Sequence, residues 1–91
     1  MSTPSSKIEI YTTLFCPFCI RAKQLLDSKG VMYYEADVTT RLSLRKAMTE
    51  RAGGRTSVPQ IFIDGQHIGG CNDLLALERL GQLDRLLQVA S

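Results

Sequence analysis

The stretch TLFCPFCIRAK, residues 13–23, places Cys16 and Cys19 three positions apart with Pro17 and Phe18 between them. Two thiols at this spacing can be half of a metal site, a structural disulfide or a redox pair. Pro17 suits the first position of a helix, where its missing N–H is no loss and its φ is already helical. Cys16 is then expected at the N-cap, its sulfur facing the free N–H groups of the first turn and the positive end of the helix dipole. Both favour a thiolate. A free cysteine has a pKa of about 8.5 and is only a few per cent ionised at pH 7. Lowering that value by about two units needs roughly 2.7 kcal/mol of preferential stabilisation, within reach of N–H contacts to the anion. Cys19, one turn further in, lacks these groups and is expected to be more buried. Cys16 is the expected nucleophile, and Cys19 the thiol that resolves a disulfide formed at Cys16.

The elements that must hold these thiols follow from periodicity. KIEIY (7–11) alternates around Ile8 and Ile10 and predicts a strand. Phe18, Ala22, Leu25 and Leu26 then share one face of a predicted helix, with Gly30 just past its end. VMYYEADV (31–38) predicts a second strand, parallel to the first across the helix. The helical period returns from Thr40 to Ala52 through Leu44, Ala47 and Met48, and Gly53-Gly54 ends it. QIFIDGQHI (60–68) carries Asp64-Gly65 between apolar runs, a hairpin signal. Asn72 or Asp73 is expected to cap a third helix through Leu74, Leu77 and Leu80. Leu83, Leu86, Leu87 and Ala90 share a last helical stripe. The predicted order is β-α-β-α-β-β-α-α, an α/β domain with a four-stranded mixed sheet flanked by helices.

Composition bounds what this domain can be. Ninety-one residues, 44% of them hydrophobic, suffice for one small core without a metal or disulfide staple. The expected boundaries are a flexible arm over 1–6 and a single domain over 7–91. Three cysteines cannot all pair within the chain. A net charge of +2, with basic residues spread along the chain, gives no reason to expect nucleic acid. No apolar stretch approaches the length of a membrane span. MSTPSSK lacks the apolar segment of a secretory signal, so the reducing cytoplasm is the expected compartment. In a cytosolic chain such a pair is more often catalytic or metal-binding than structural. Cys16, Cys19, His67 and Cys71 could by count hold zinc. No metal is expected, because the pair opens a helix.

CPFC (16–19), SVPQIFIDG (57–65) and HIGGCND (67–73) together resemble a glutaredoxin, most closely the small bacterial dithiol type. The likeness runs from about Lys7 to the C-terminal helix. A C-x-x-C alone would also fit a thioredoxin. The resemblance implies a thioredoxin-like fold and a glutathione-dependent thiol–disulfide oxidoreductase acting on protein–glutathione mixed disulfides and protein disulfides. It implies that Val58 offers its backbone to glutathione as in strand addition, that Pro59 is cis, and that Ser57 and Cys71 border the same site. It places Asn72 and Asp73 at the γ-glutamyl end, with backbone N–H groups for the carboxylate and the Asp73 side chain for the ammonium. It suggests Arg45, with Arg41 as a rival, for the glycyl carboxylate. Thr13 stands where many members carry lysine, and Phe18 where tyrosine is commoner. Glutathione is then a reducing co-substrate with no tightly bound cofactor, and the enzyme is expected to act as a monomer. Some relatives bridge an iron–sulfur cluster, but Pro17 stands where those more often have a small residue. His67 is expected to be inert.

Overall fold

Ile8 and Ile10 lie on one face of strand β1 (Ile8–Thr12), and Tyr11 on the other. That alternation sets two cores in the computed structural model, which describes residues 6–88. β1 is followed by helix α1 (Pro17–Ser28), β2 (Tyr34–Asp37), α2 (Leu42–Arg51), β3 (Gln60–Ile63), β4 (Gln66–Gly69), α3 (Cys71–Arg79) and α4 (Leu83–Leu87). The strand order is β2-β1-β3-β4, with β1 parallel to β2 and antiparallel to β3, and β4 antiparallel to β3. Element order and the mixed four-stranded sheet agree with the sequence reading.

On one face, Ile8, Ile10, Ile61 and Ile63 meet Ala22 and Leu26 of α1, Leu74 of α3, and Leu83 and Leu87 of α4. On the other, Tyr11 and Phe62 meet Met48 of α2, with Val38 and Ala52 just outside the elements. Two-sided coverage explains the apolar run Ile61, Phe62 and Ile63 in β3, buried on both faces together with Gln60 before it. Lys29, next after α1, pairs with Glu78 of α3 at 2.7 Å and Asp84 of α4 at 2.6 Å, tying the three helices of the first face together.

The turns obey their residues. Asp64 and Gly65 have φ of +52° and +81°, a two-residue hairpin with both central residues left-handed. Asp64 also ties the turn to β1, its carboxylate accepting the Lys7 N–H at 2.7 Å. Gly30 sits just past α1 at φ +71°, as expected of a C′ glycine.

Several expectations shift. β2 is shorter than 31–38, because Val31 and Tyr33 pack on the core without pairing. α2 begins at Leu42 rather than Thr40. α3 is capped by neither Asn72 nor Asp73: its N-cap is Gly70, since β4 runs into the helix with almost no loop. Leu80 is exposed, and Ala90 lies outside the described residues. Of the expected arm, residues 1–5 lie outside the described residues, whereas Ser6 is buried and its hydroxyl donates to Leu86 O at 2.6 Å.

Candidate active site

Three connections meet at one end of the sheet: the start of α1, the Ser57–Pro59 turn before β3, and the start of α3. Cys16 is the N-cap of α1 and Pro17 its first residue. The Cys16 Sγ accepts the Cys19 N–H at 3.1 Å, the contact an N-cap sulfur is placed to make. Cys16 and Cys19 are joined in a disulfide. Their environments differ. Cys19 is 1% exposed, while Cys16 is half-buried and its Sγ lies 4.0 Å from Val58 O. The Val58–Pro59 bond is cis.

Beside the pair runs an open groove of about 200 Å³, lined by Phe18, Arg55, Ser57, Val58, Pro59, Gly70, Cys71, Asn72 and Asp73. It is smaller than the pockets that engulf drug-sized molecules, which run from about 300 Å³. A ligand here lies along the surface. Seven of the expected site residues line it. Phe18, predicted on the buried face of α1, is 52% exposed and forms one wall. Thr13 and Arg45 are not among the lining residues. Thr13 is half-buried in the turn before Cys16. Arg45 donates to Thr56 O at 2.9 Å and so braces the turn that carries Ser57.

Arg55 was missed by the sequence reading. Its guanidinium lies 3.1 Å from the Asp73 carboxylate. The nearby signal was a basic residue three before the Val58-Pro59 motif. Arg55 reaches the groove because Gly53 and Gly54, at φ +66° and +99°, turn the chain back after α2.

Asp73, third residue of α3, accepts the Gly70 N–H at 2.8 Å, the half of a capping box that the third residue supplies, while the glycine cap offers the first-turn N–H groups no side-chain acceptor. That bond, then Arg55, holds its carboxyl below the usual carboxylate range. The close fit needs glycine at 69: φ is +121°, and a Cβ there would overlap Asp73 Oδ2 and come within 3.0 Å of Arg55 Nη1. The first intrahelical bond of α3 is Leu74 N–H to Gly70 O at 3.0 Å. The N–H groups of Cys71, Asn72 and Asp73 precede it and face the helix mouth. Cys71 is buried, and burial pushes its thiol above the usual value.

The arrangement suits a surface-lying ligand with anionic ends, held beside a sulfur at a helix mouth. Among the described residues no three His, Cys, Asp or Glu side chains gather as metal ligands. His67, once counted with them, instead places its Nε2 2.7 Å from Gln60 Oε1. No helix among these residues is long and apolar enough to cross a membrane.

Comparison with known proteins agrees with this geometry. The glutaredoxin family model matches residues 8–68. Over 83 residues the chain is 54% identical to Glutaredoxin 3 of Escherichia coli, covering 91% of this chain and 99% of that one. It is 55% identical over 83 residues to a probable glutaredoxin of Synechocystis sp., covering 91% and 94%. Among solved structures it matches a glutaredoxin of Brucella melitensis with a TM-score of 0.81 at 49% identity, covering 92% and 90% of the two chains. A buckwheat glutaredoxin–glutathione complex matches with a TM-score of 0.82 at 28% identity, covering 90% and 76%. The sheet and helices are those of the thioredoxin-like fold, and the chain belongs to the glutaredoxins, glutathione-dependent thiol–disulfide oxidoreductases, with Cys16 and Cys19 as its redox pair.

Proposed function

We propose that Cys16 is the nucleophile, that Cys19 resolves, and that the adjoining groove binds glutathione. In the reduced enzyme the Cys16 thiolate attacks the glutathione sulfur of a protein–glutathione mixed disulfide. A Cys16–glutathione bond forms, the old S–S bond breaks, and the protein thiolate leaves and takes up a proton. A second glutathione thiolate then attacks the sulfur on Cys16, releasing glutathione disulfide and restoring the thiolate. With a protein disulfide, Cys16 forms the mixed disulfide and Cys19 displaces the protein thiol. Two glutathione molecules then reduce the Cys16–Cys19 bond.

The observation that carries this reading is the unequal setting of the two sulfurs, one at the helix mouth beside Val58 and the other almost fully buried. Glutathione would add its cysteine backbone alongside Val58, as in strand addition. The first turn of α3 would take the γ-glutamyl carboxylate. Asp73 keeps lone pairs for the ammonium beyond those facing Gly70 and Arg55. Arg55 is the groove's own cation and the best-placed partner for a ligand carboxylate. Phe18 and Pro59 supply apolar walls, and Ser57, Cys71 and Asn72 complete the lining. Arg45 acts on the site by bracing the turn, and Thr13 by its place beside the nucleophile. The enzyme works as a monomer in the cytoplasm, where a glutathione pool can recharge it. Its protein substrates are those bearing disulfides or bound glutathione.

Single-cysteine variants test the division of roles. Cys16→Ser abolishes turnover of every substrate. Cys19→Ser keeps turnover of glutathione mixed disulfides and loses that of protein disulfides. Equal loss of mixed-disulfide turnover in both variants would refute the assignment.

A further inference from the structure

Gln60 is a wholly buried amide, 0% exposed, directly after the cis Pro59. A buried amide left unpaired costs more than a hydrogen bond returns, so its contacts are informative. Its Nε2 donates to Ser57 O at 3.0 Å and lies 3.3 Å from Ser57 Oγ. Its Oε1 lies 2.7 Å from His67 Nε2 on the neighbouring strand. An amide oxygen only accepts, so His67 must carry its proton on Nε2. Turning the amide over would set Gln60 Oε1 against Ser57 O, two acceptors face to face. The Ser57 carbonyl therefore fixes which way the amide points, and His67 completes it by donating to the Gln60 oxygen. The imidazole is itself held against the Phe62 ring, centroids 5.1 Å apart.

The recipient of this chain is the groove wall. Ser57 and Val58 line the groove, whereas Gln60 and His67 do not. The Val58 side chain packs on the Tyr11–Met48 core, but Ser57 is exposed, so its end of the turn is held by hydrogen bonds. Two bonds hold its carbonyls: Arg45 on Thr56 O from α2, and Gln60 on Ser57 O from β3. A turn left loose would have to be ordered when ligand binds, at a cost in affinity.

We propose that Gln60, its amide oxygen held by His67, is a positioning residue that presets the Ser57–Val58 backbone for glutathione. The inference rests on the reading that glutathione pairs with Val58. It assigns no contact with substrate to either Gln60 or His67, and it gives the lone histidine a role that its position in the sequence does not suggest.

The test uses the full chain, with cysteine–glutathione mixed disulfide as substrate and glutathione as reductant. Gln60→Met keeps volume and removes the amide. His67→Phe keeps the stacking on Phe62 and removes the donor. Thermal melts identify the folded fraction of each variant. Gln60→Met raises KM for the mixed disulfide about fivefold, the worth of one hydrogen bond, with kcat within about twofold. His67→Phe raises KM about threefold, and His67→Gln, whose amide can donate to Gln60, restores it. The double variant is no worse than Gln60→Met, because His67 acts only through Gln60. Should Gln60→Met not fold, His67→Phe alone decides, with amide hydrogen exchange at Ser57 and Val58 as second readout: exchange speeds up if the proposal holds. An unchanged KM in folded His67→Phe, or effects of the two substitutions that multiply, overturns it. Failure of the underlying reading is separately visible: glutathione analogues such as S-methylglutathione would then not slow alkylation of Cys16 in the unaltered enzyme.

Discussion

Asp73 draws together most of the groove's electrostatics. Its carboxylate meets Gly70 N–H at 2.8 Å and Arg55 at 3.1 Å, and these hold its carboxyl below the usual range. A folded-state value below the unfolded one means the group stabilises the fold fully above the unfolded carboxylate value, near pH 4, and loses that contribution as pH falls through the lower folded value. Arg55→Met removes one of the two holds. The Asp73 titration, followed by carbon-13 NMR of the carboxyl, then moves up towards the ordinary value. The same variant raises KM for glutathione mixed disulfides about tenfold, through loss of charge-assisted bonds to the ligand. A titration that stays put would deny Arg55 its place beside Asp73. At this scale the sequence was only partly legible. Cys16 and Pro17 announce their N-cap and first helical position locally, because adjacent residues set them, whereas the cis Val58–Pro59 bond followed only from the family resemblance. Arg55 announces nothing locally, since its partner is 18 positions away and only the fold joins them.

Between β4 and α3 the elements are set by Gly69 and Gly70. Gly69, at φ +121°, leaves space that the Asp73 side chain fills. Gly69→Ala forces both an unfavourable backbone and a clash, with an expected loss of about 1–3 kcal/mol in urea unfolding and a raised KM. A Cβ at Gly70 meets nothing closer than Pro59 O at 3.3 Å, and the backbone there is outside the left-handed region, so Gly70→Ala is expected to cost less. Equal losses would show that the tight fit at Gly69 is not what selects glycine. The hairpin was legible because Asp64-Gly65 specifies its own turn. The expected cap, Asn72 or Asp73, falls two or three residues late, because the true cap, Gly70, has no side chain to announce it and Asp73 meets its N–H from the third helical position. β2 was read too long because burial of Val31 and Tyr33 looks, in sequence, the same as strand pairing.

The whole molecule is a sheet covered on both faces, and its larger core supports the helices that carry Cys16 and Asp73. Leu26, fully buried against Ile8, Ile10 and Leu74, belongs to that core. Leu26→Ala is expected to cost about 2–5 kcal/mol by denaturant unfolding. A loss under about 1 kcal/mol would mean this face is not a close-packed core. The order of elements was legible from apolar periodicity, since each strand and helix announces its buried face. Periodicity does not reveal the groove, which exists only where three ends of separate elements meet; the resemblance carried by the motifs named seven of its lining residues. The central claim concerns the sulfur at that meeting point. The direct measurement is the pH dependence of iodoacetamide alkylation in the reduced enzyme, read at each cysteine by mass spectrometry. Cys16 is expected to react with a midpoint about two units below the ordinary cysteine value, while Cys19 and Cys71 lag far behind. A Cys16 midpoint near the ordinary cysteine value of about 8.5, or no preference among the three thiols, would contradict it.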